Sequence, residues 1–253
     1  MAEPTPDPAG RRARSIEPVT PAAPRRVPRA AMMQRWTDVV FVHWETDPDA
    51  ARVRLPAGVD LDRFSGRTFV GLVALRIDVA LLGRPVPRVG SFAEVNVRLY
   101  SVDRAGRRGV TFCSMDAGRL APAVAGRVGL GLPYAWADAD LRREGDVASG
   151  RVRRRWPGTG SPSSRFTVRI GERVARPGPL EHFLTARWAL HWAALGRTWW
   201  CPVEHEPWVL HTATMDEIDD ELVAAAGLPL AGRPLGVLWS PGARTRIGIP
   251  RQA

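Results

Sequence analysis

A stretch of ten residues limits most strongly what this chain can fold into. Residues 91–100 read SFAEVNVRLY. Side chains along a β-strand alternate between its two faces. Ala93, Val95, Val97 and Leu99 therefore share one face, and Phe92, Glu94, Asn96, Arg98 and Tyr100 share the other. Alternation over that length predicts a strand with one apolar face. The polar face has two readings. It is the solvated side of an antiparallel sheet, or it is the inner wall of a barrel with Glu94, Arg98 and Tyr100 projecting into a cavity.

The neighbouring sequence is also rich in strand formers. Asp103-Arg104-Ala105-Gly106 has turn chemistry, and 109–115 reads as the strand that returns to make a β-hairpin. Upstream, 36–44 and 68–82 read as strands, 47–51 as a helical turn, and 55–58 and 83–90 as connectors. Downstream, 121–128 has good helix formers, is ended by Gly129 and Gly131, and is kept from resuming by Pro133. Residues 138–145 read as a connection, and 149–156 and 164–170 as a strand pair around the loop PGTGSPSS. Leu180, Leu184, Trp188, His191 and Leu195 recur at helical spacing and predict a helix over 180–195, with His191 a core or edge histidine. Residues 198–212 read as a strand interrupted at Pro202 and Pro207. Thr214-Met215-Asp216-Glu217 is a capping box that opens a helix to Ala226, ended by Gly227. A hairpin around Ser240-Pro241-Gly242 closes the chain.

The expected fold class is α+β and β-rich: a cone-like or barrel-like, mostly antiparallel sheet with about three peripheral helices. Residues 1–32, rich in Pro, Ala and Arg, are expected to be a disordered tail. Residues 33–250 are expected to form one domain.

All 36 basic residues are arginine, and the net charge is +10. That charge attracts anions in general. Arginine without lysine, beside abundant Ala, Gly and Pro, is also what a GC-rich genome encodes. The run Arg151–Trp156 would split its arginines between strand faces, so nucleic acid is not an expected partner. No apolar run approaches the roughly 18–20 residues of a membrane span, and the N-terminus lacks the apolar core of a secretory signal. Two cysteines, Cys113 and Cys201, suit a reducing cytoplasm, with a disulfide between them left open.

Few motifs for chemistry stand out. Cys201, Glu204, His205, Glu206 and His211 are metal-ligand types, but at no established spacing, and neither metal nor cofactor is expected. The glycines of 157–164 lack the spacing and lysine of a phosphate loop. No nucleophile-elbow motif occurs, and Cys113 falls in an expected core strand.

Six segments together resemble a known family: 92–100, GVTFCSMDA at 109–117, LPYAWA at 132–137, LEHFLTARW at 180–188, VEHEPW at 203–208 and VLWSPG at 237–242. Residues from about 34 to 250 are similar to the bacterial domain of unknown function 2071 family, placed in the acetoacetate decarboxylase-like superfamily. The resemblance implies a β-rich cone or barrel around a cavity. The decarboxylase's active-site run resembles A-G-R-E-x-x-G-F-P-K-K. Here Ala125, Gly126, Arg127, Gly131 and Pro133 match that run, the glutamate becomes Val128, and the two lysines fall on Tyr134 and Ala135. Glu94 resembles the decarboxylase's pocket glutamate.

A Schiff base requires a primary amine. This chain has no side-chain amine, so imine-forming decarboxylation is excluded. The expected activity is binding of a small anionic or carbonyl-bearing molecule, with Arg98 holding the anion, Glu94 and Tyr134 orienting it or moving protons, and Tyr100 and His205 at the pocket edge. A lyase, hydratase or isomerase using Glu94 and Tyr134 as an acid–base pair, and a non-catalytic scaffold, remain the alternatives. Assembly into a homo-oligomer is left open.

Overall fold

In the computed structural model, residues 15–81, 84–86, 90–230 and 232–253 are described. Strand β1 (Met32–Glu45) leads through α1 (Pro48–Arg52) and β2 (Val59–Leu61) to β3 (Phe69–Leu81) and β4 (Arg84–Pro85). Next come β5 (Ser91–Asp103), β6 (Arg108–Ala117), α2 (Leu120–Val124) and a π-helical turn at Ala125–Gly129. The chain continues through β7 (Tyr134–Glu144), β8 (Val147–Trp156), β9 (Ser163–Arg173), α3 (Pro179–Thr185), β10 (Ala189–Ala194) and β11 (Arg197–His205). It ends with β12 (His211–Asp220), α4 (Leu222–Ala225), β13 (Gly236–Ile247) and β14 (Arg251–Gln252).

The sheet closes on itself. Successive pairing runs β6-β7-β8-β9-β12-β13-β1-β3-β5, and β5 pairs back to β6. A second circuit shares β13-β1-β3-β5-β6 and is completed by β10 and β11. The shared strands therefore have packed side chains on both faces. This explains their nearly unbroken apolar runs, such as Val39-Val40-Phe41-Val42, all buried. On one side, Val95, Val97 and Leu99 of β5 join Val42, Leu72 and Phe166. On the other, Phe41, Val73, Phe92, Met115, Tyr134 and Trp192 form a second core.

The β-rich α+β class stands, with four short α-helices among the described residues. Several local expectations are corrected. Residues 138–144 belong to β7 rather than to a connection, and only Gly145 and Asp146 turn into β8. The helix expected over 180–195 stops at Thr185. Arg187 then donates from Nε to Phe183 O and pairs with Asp62, turning the chain into β10, which contains His191. Leu195 and Gly196 both have positive φ and make the two-residue hairpin turn into β11. The capping box at 214–217 lies within a strand, because β12 pairs along β9 and partly buries Met215 and Ile218 against the core, while Asp216 binds Arg169 at 3.0 Å. The terminal hairpin is one strand. Pro241 needs no amide donor because the β1–β13 ladder skips from Val39↔Ser240 to Thr37↔Gly242 there.

Composition also misjudges part of the N-terminal stretch. Residues 1–14 lie outside the described residues. Residues 15–31 run along the body, although few of their side chains are apolar. Polar contacts hold them: Glu17 N donates to Gly106 O at 2.9 Å, Val27 N to Glu204 at 2.6 Å, and Trp188 Nε1 to Thr20 O at 3.2 Å. Cys113 and Cys201 are both free thiols. Among the described residues no helix is long and apolar enough to cross a membrane.

Candidate functional site

The polar face of β5 is not solvated. Glu94 is 2% exposed, Asn96 4% and Arg98 9%, and Tyr100 is fully enclosed. These side chains face the core that contains Phe92 and Tyr134, so the polar face of the alternation is enclosed by packed side chains.

Tyr134 is brought to Glu94 by strand register. It opens β7 opposite Met115 of β6, and Met115 lies opposite Asn96 of β5. Its hydroxyl donates to Glu94 Oε2 at 3.0 Å, and Asn96 Nδ2 donates to Oε1 at 3.0 Å. Arg127 Nη1 holds the Tyr134 carbonyl at 2.7 Å, and Gly126 lets the phenol ring lie directly on the π-helical turn, where any Cβ would overlap it. The matched Ala125-Gly126-Arg127 run thus seats Tyr134.

Burial raises the Glu94 pKa from its ordinary 4.5 to about 7. The hydrogen bonds from Asn96 and Tyr134 oppose that rise, and the charge of Asp116 adds to it. Burial, and then Glu94 itself, hold the Tyr134 phenol well above its usual range. The carboxyl is thus poised to exchange a proton near neutrality while the phenol remains a donor.

Arg98 and Tyr100 form a second group. Both donate to one carbonyl, Leu184 O, at 3.0 and 2.9 Å. The Arg98 guanidinium also lies 5.6 Å from the Phe41 ring centroid. His205 is boxed by Trp188, Trp208 and Trp36, at centroid separations of 4.2, 4.7 and 5.8 Å. Its Nδ1 pairs with Glu206 O at 2.7 Å. Burial lowers its pKa to about 4, and the charge of Arg98 adds to that fall, so the ring is neutral at physiological pH. Glu94 and Tyr134 therefore touch directly, Arg98 and Tyr100 share a separate anchor on the same β5 face, and His205 occupies an aromatic box.

His43 is the residue that sequence reasoning missed. It lies on β1 beside Tyr100, with ring centroids 6.2 Å apart, and both its nitrogens are buried without a hydrogen-bond partner among the described residues. Burial, and then the nearby Arg98 charge, lower its pKa. A histidine in the apolar run VVFVHW was the available signal. Asn96 was visible on the polar face, but nothing in its spacing showed that it would share Glu94. The side chains considered for a metal are otherwise engaged: Glu204 with Val27 N, Glu206 with Arg244, and Cys201 Sγ with Gly248 O.

This ring-like sheet is the fold of the acetoacetate decarboxylase-like proteins. It is similar to acetoacetate decarboxylase from Legionella pneumophila (TM-score 0.62, 17% identity, 91% of each chain). It is also similar to an acetoacetate decarboxylase-like enzyme from Sphingomonas wittichii RW1 (TM-score 0.59, 15% identity, 92% of this chain and 99% of that one). A third similar structure is the enduracididine biosynthesis enzyme MppR complexed with pyruvate (TM-score 0.61, 18% identity, 88% and 91%).

Within that fold the chain belongs to the DUF2071 family of uncharacterized conserved proteins, whose model matches residues 33–244. It is 26% identical over 201 residues to the uncharacterized protein YqjF of Bacillus subtilis (strain 168), covering 79% of this chain and 83% of that one.

Proposed function

We propose that this protein binds a small anionic or carbonyl-bearing molecule against the inner face of β5. Arg98 anchors the anion, Glu94 and Tyr134 orient the ligand and exchange a proton with it, and Tyr100 and His205 line the edge. The observation that carries this reading is a set of buried polar atoms left without partners, one on Asn96 beside Glu94 and the others on Arg98 and His43 around Tyr100. Among the described residues these are Arg98 Nε, Asn96 Oδ1 and both nitrogens of His43. Buried polar atoms are nearly always paired, so unpaired ones at these positions call for a polar occupant. That MppR, with the same fold, is complexed with pyruvate supports a keto acid as the ligand class. No imine forms, because the chain has no lysine. The working compartment is the cytoplasm, where two free thiols persist.

A second reading, acid–base catalysis of the lyase, hydratase or isomerase type, is favoured by the Glu94 carboxyl at about 7, close to the optimum for proton transfer at neutral pH. The test is calorimetric titration with a panel of small keto and hydroxy acids, comparing the wild type with Arg98→Ala. Binding that Arg98→Ala weakens supports the proposal. No binder in the panel, or binding indifferent to that change, leaves a filled, non-catalytic scaffold. Turnover of a bound acid that Glu94→Gln abolishes, with the fold intact, supports the catalytic reading.

A further inference from the structure

The outer edge of β6 forks. Along its other edge β6 pairs with β5. On this edge it pairs in parallel with β10 at Val110 and with β7 from Met115 onward. Among the described residues no strand covers the edge at 111–114. A cleft of about 610 Å³ lies there. Its volume falls within the range of small-molecule sites.

The lining has a sign. Arg54, Arg127 and Arg154 contribute to it, and no carboxylate does. Arg54 is exposed. Arg154 commits Nε and Nη2 to Asp116, at 2.7 and 2.9 Å, which leaves its third nitrogen unengaged by that carboxylate. Ser114, which also lines the cleft, is 5% exposed, and its Oγ has no hydrogen-bond partner among the described residues. Phe112, Leu132, Pro133 and Trp192 supply an apolar wall. An unsatisfied buried hydroxyl, guanidinium groups without a lining acid, and an aromatic wall together describe one kind of ligand.

We infer that this cleft is a second binding site, separate from the inner face of β5. It takes a small organic anion whose carboxylate or phosphate head meets Arg54, Arg154 and Ser114 and whose apolar body lies on Phe112, Leu132 and Trp192. The inference does not depend on the reading of Glu94 and Arg98.

The test is calorimetric titration of the full chain with benzoate, phenyl phosphate and inorganic phosphate. Saturable binding of benzoate or phenyl phosphate is expected, and the tighter of the two identifies the head group. Arg54→Ala should weaken it by about tenfold, the scale of one charge-assisted contact. Ser114→Ala should weaken it less. Arg54 is exposed, so its replacement spares the fold. Absence of saturable binding by both aryl anions overturns the inference, as does binding that Arg54→Ala leaves intact. Inorganic phosphate binding as tightly as phenyl phosphate would also overturn it, because the apolar wall would then contribute nothing. Binding lost in Glu94→Gln but kept in Arg54→Ala would assign the anion to the inner face and overturn this site alone.

Discussion

Replacing Glu94 by glutamine should change how stability depends on pH, in a direction fixed by its burial. The Glu94 carboxyl titrates at about 7 in the folded protein, against an ordinary 4.5. Between those values the unfolded chain has released the proton while the folded chain still holds it. Stability therefore falls as pH rises through that window and levels off above about 7. The displacement corresponds to about 3 kcal/mol, a large fraction of a typical domain's stability. A carboxamide does not titrate, so Glu94→Gln removes this component. Urea denaturation of both proteins from pH 4 to 8 isolates it, because every other titrating group is common to the pair. The wild-type stability minus that of the variant should decline by about 3 kcal/mol across the window. A difference that stays flat would show that Glu94 titrates like an exposed carboxylate and would refute its enclosure.

Neighbouring contacts carry three further predictions. Tyr134→Phe removes a hydrogen bond that holds the Glu94 pKa down, so the midpoint of that pH-dependent component should move upward. The unsatisfied Oε2 should also cost about 1–3 kcal/mol in urea unfolding. Gly126→Ala places a methyl group in the Tyr134 ring, and overpacking of this kind costs about 1–3 kcal/mol, visible as a lower denaturation midpoint and an altered tyrosine environment. Asp62→Ala leaves Arg187 buried without its carboxylate partner and should destabilise the fold by about 3–5 kcal/mol, measured the same way; a loss below about 1 kcal/mol would contradict the buried pairing.

The inner face was legible because period two is a local property. The alternation at 91–100 already separated Val95 and Val97 from Glu94 and Arg98, and the match around Ala125-Gly126-Arg127 led to Tyr134. Whether the polar face met water was not legible, because that depends on β10, β11 and β13 closing the ring from distant sequence. Two of the predicted helices failed for the same reason. Residues 186–195 and 214–220 carry helical spacing and a capping box, yet each supplies an edge that the circuit needs, and ladder pairing with β11 and β9 outweighs weak local propensity. The strap at 15–31 escaped composition because hydrogen bonds and an ion pair to Glu204, with only a few apolar side chains such as Val19 and Val27 packed against the body, attach it. The forked edge of β6 is a product of strand order alone, which no motif encodes.

The interior reading is tested most directly by a crystal structure of the protein soaked with pyruvate. The account predicts electron density for the keto acid on the inner face of β5, its carboxylate on Arg98 and its carbonyl end toward the Tyr134 hydroxyl. An interior left unchanged under saturating ligand, with Arg98 still on the Leu184 carbonyl and no keto acid beside it, would contradict it.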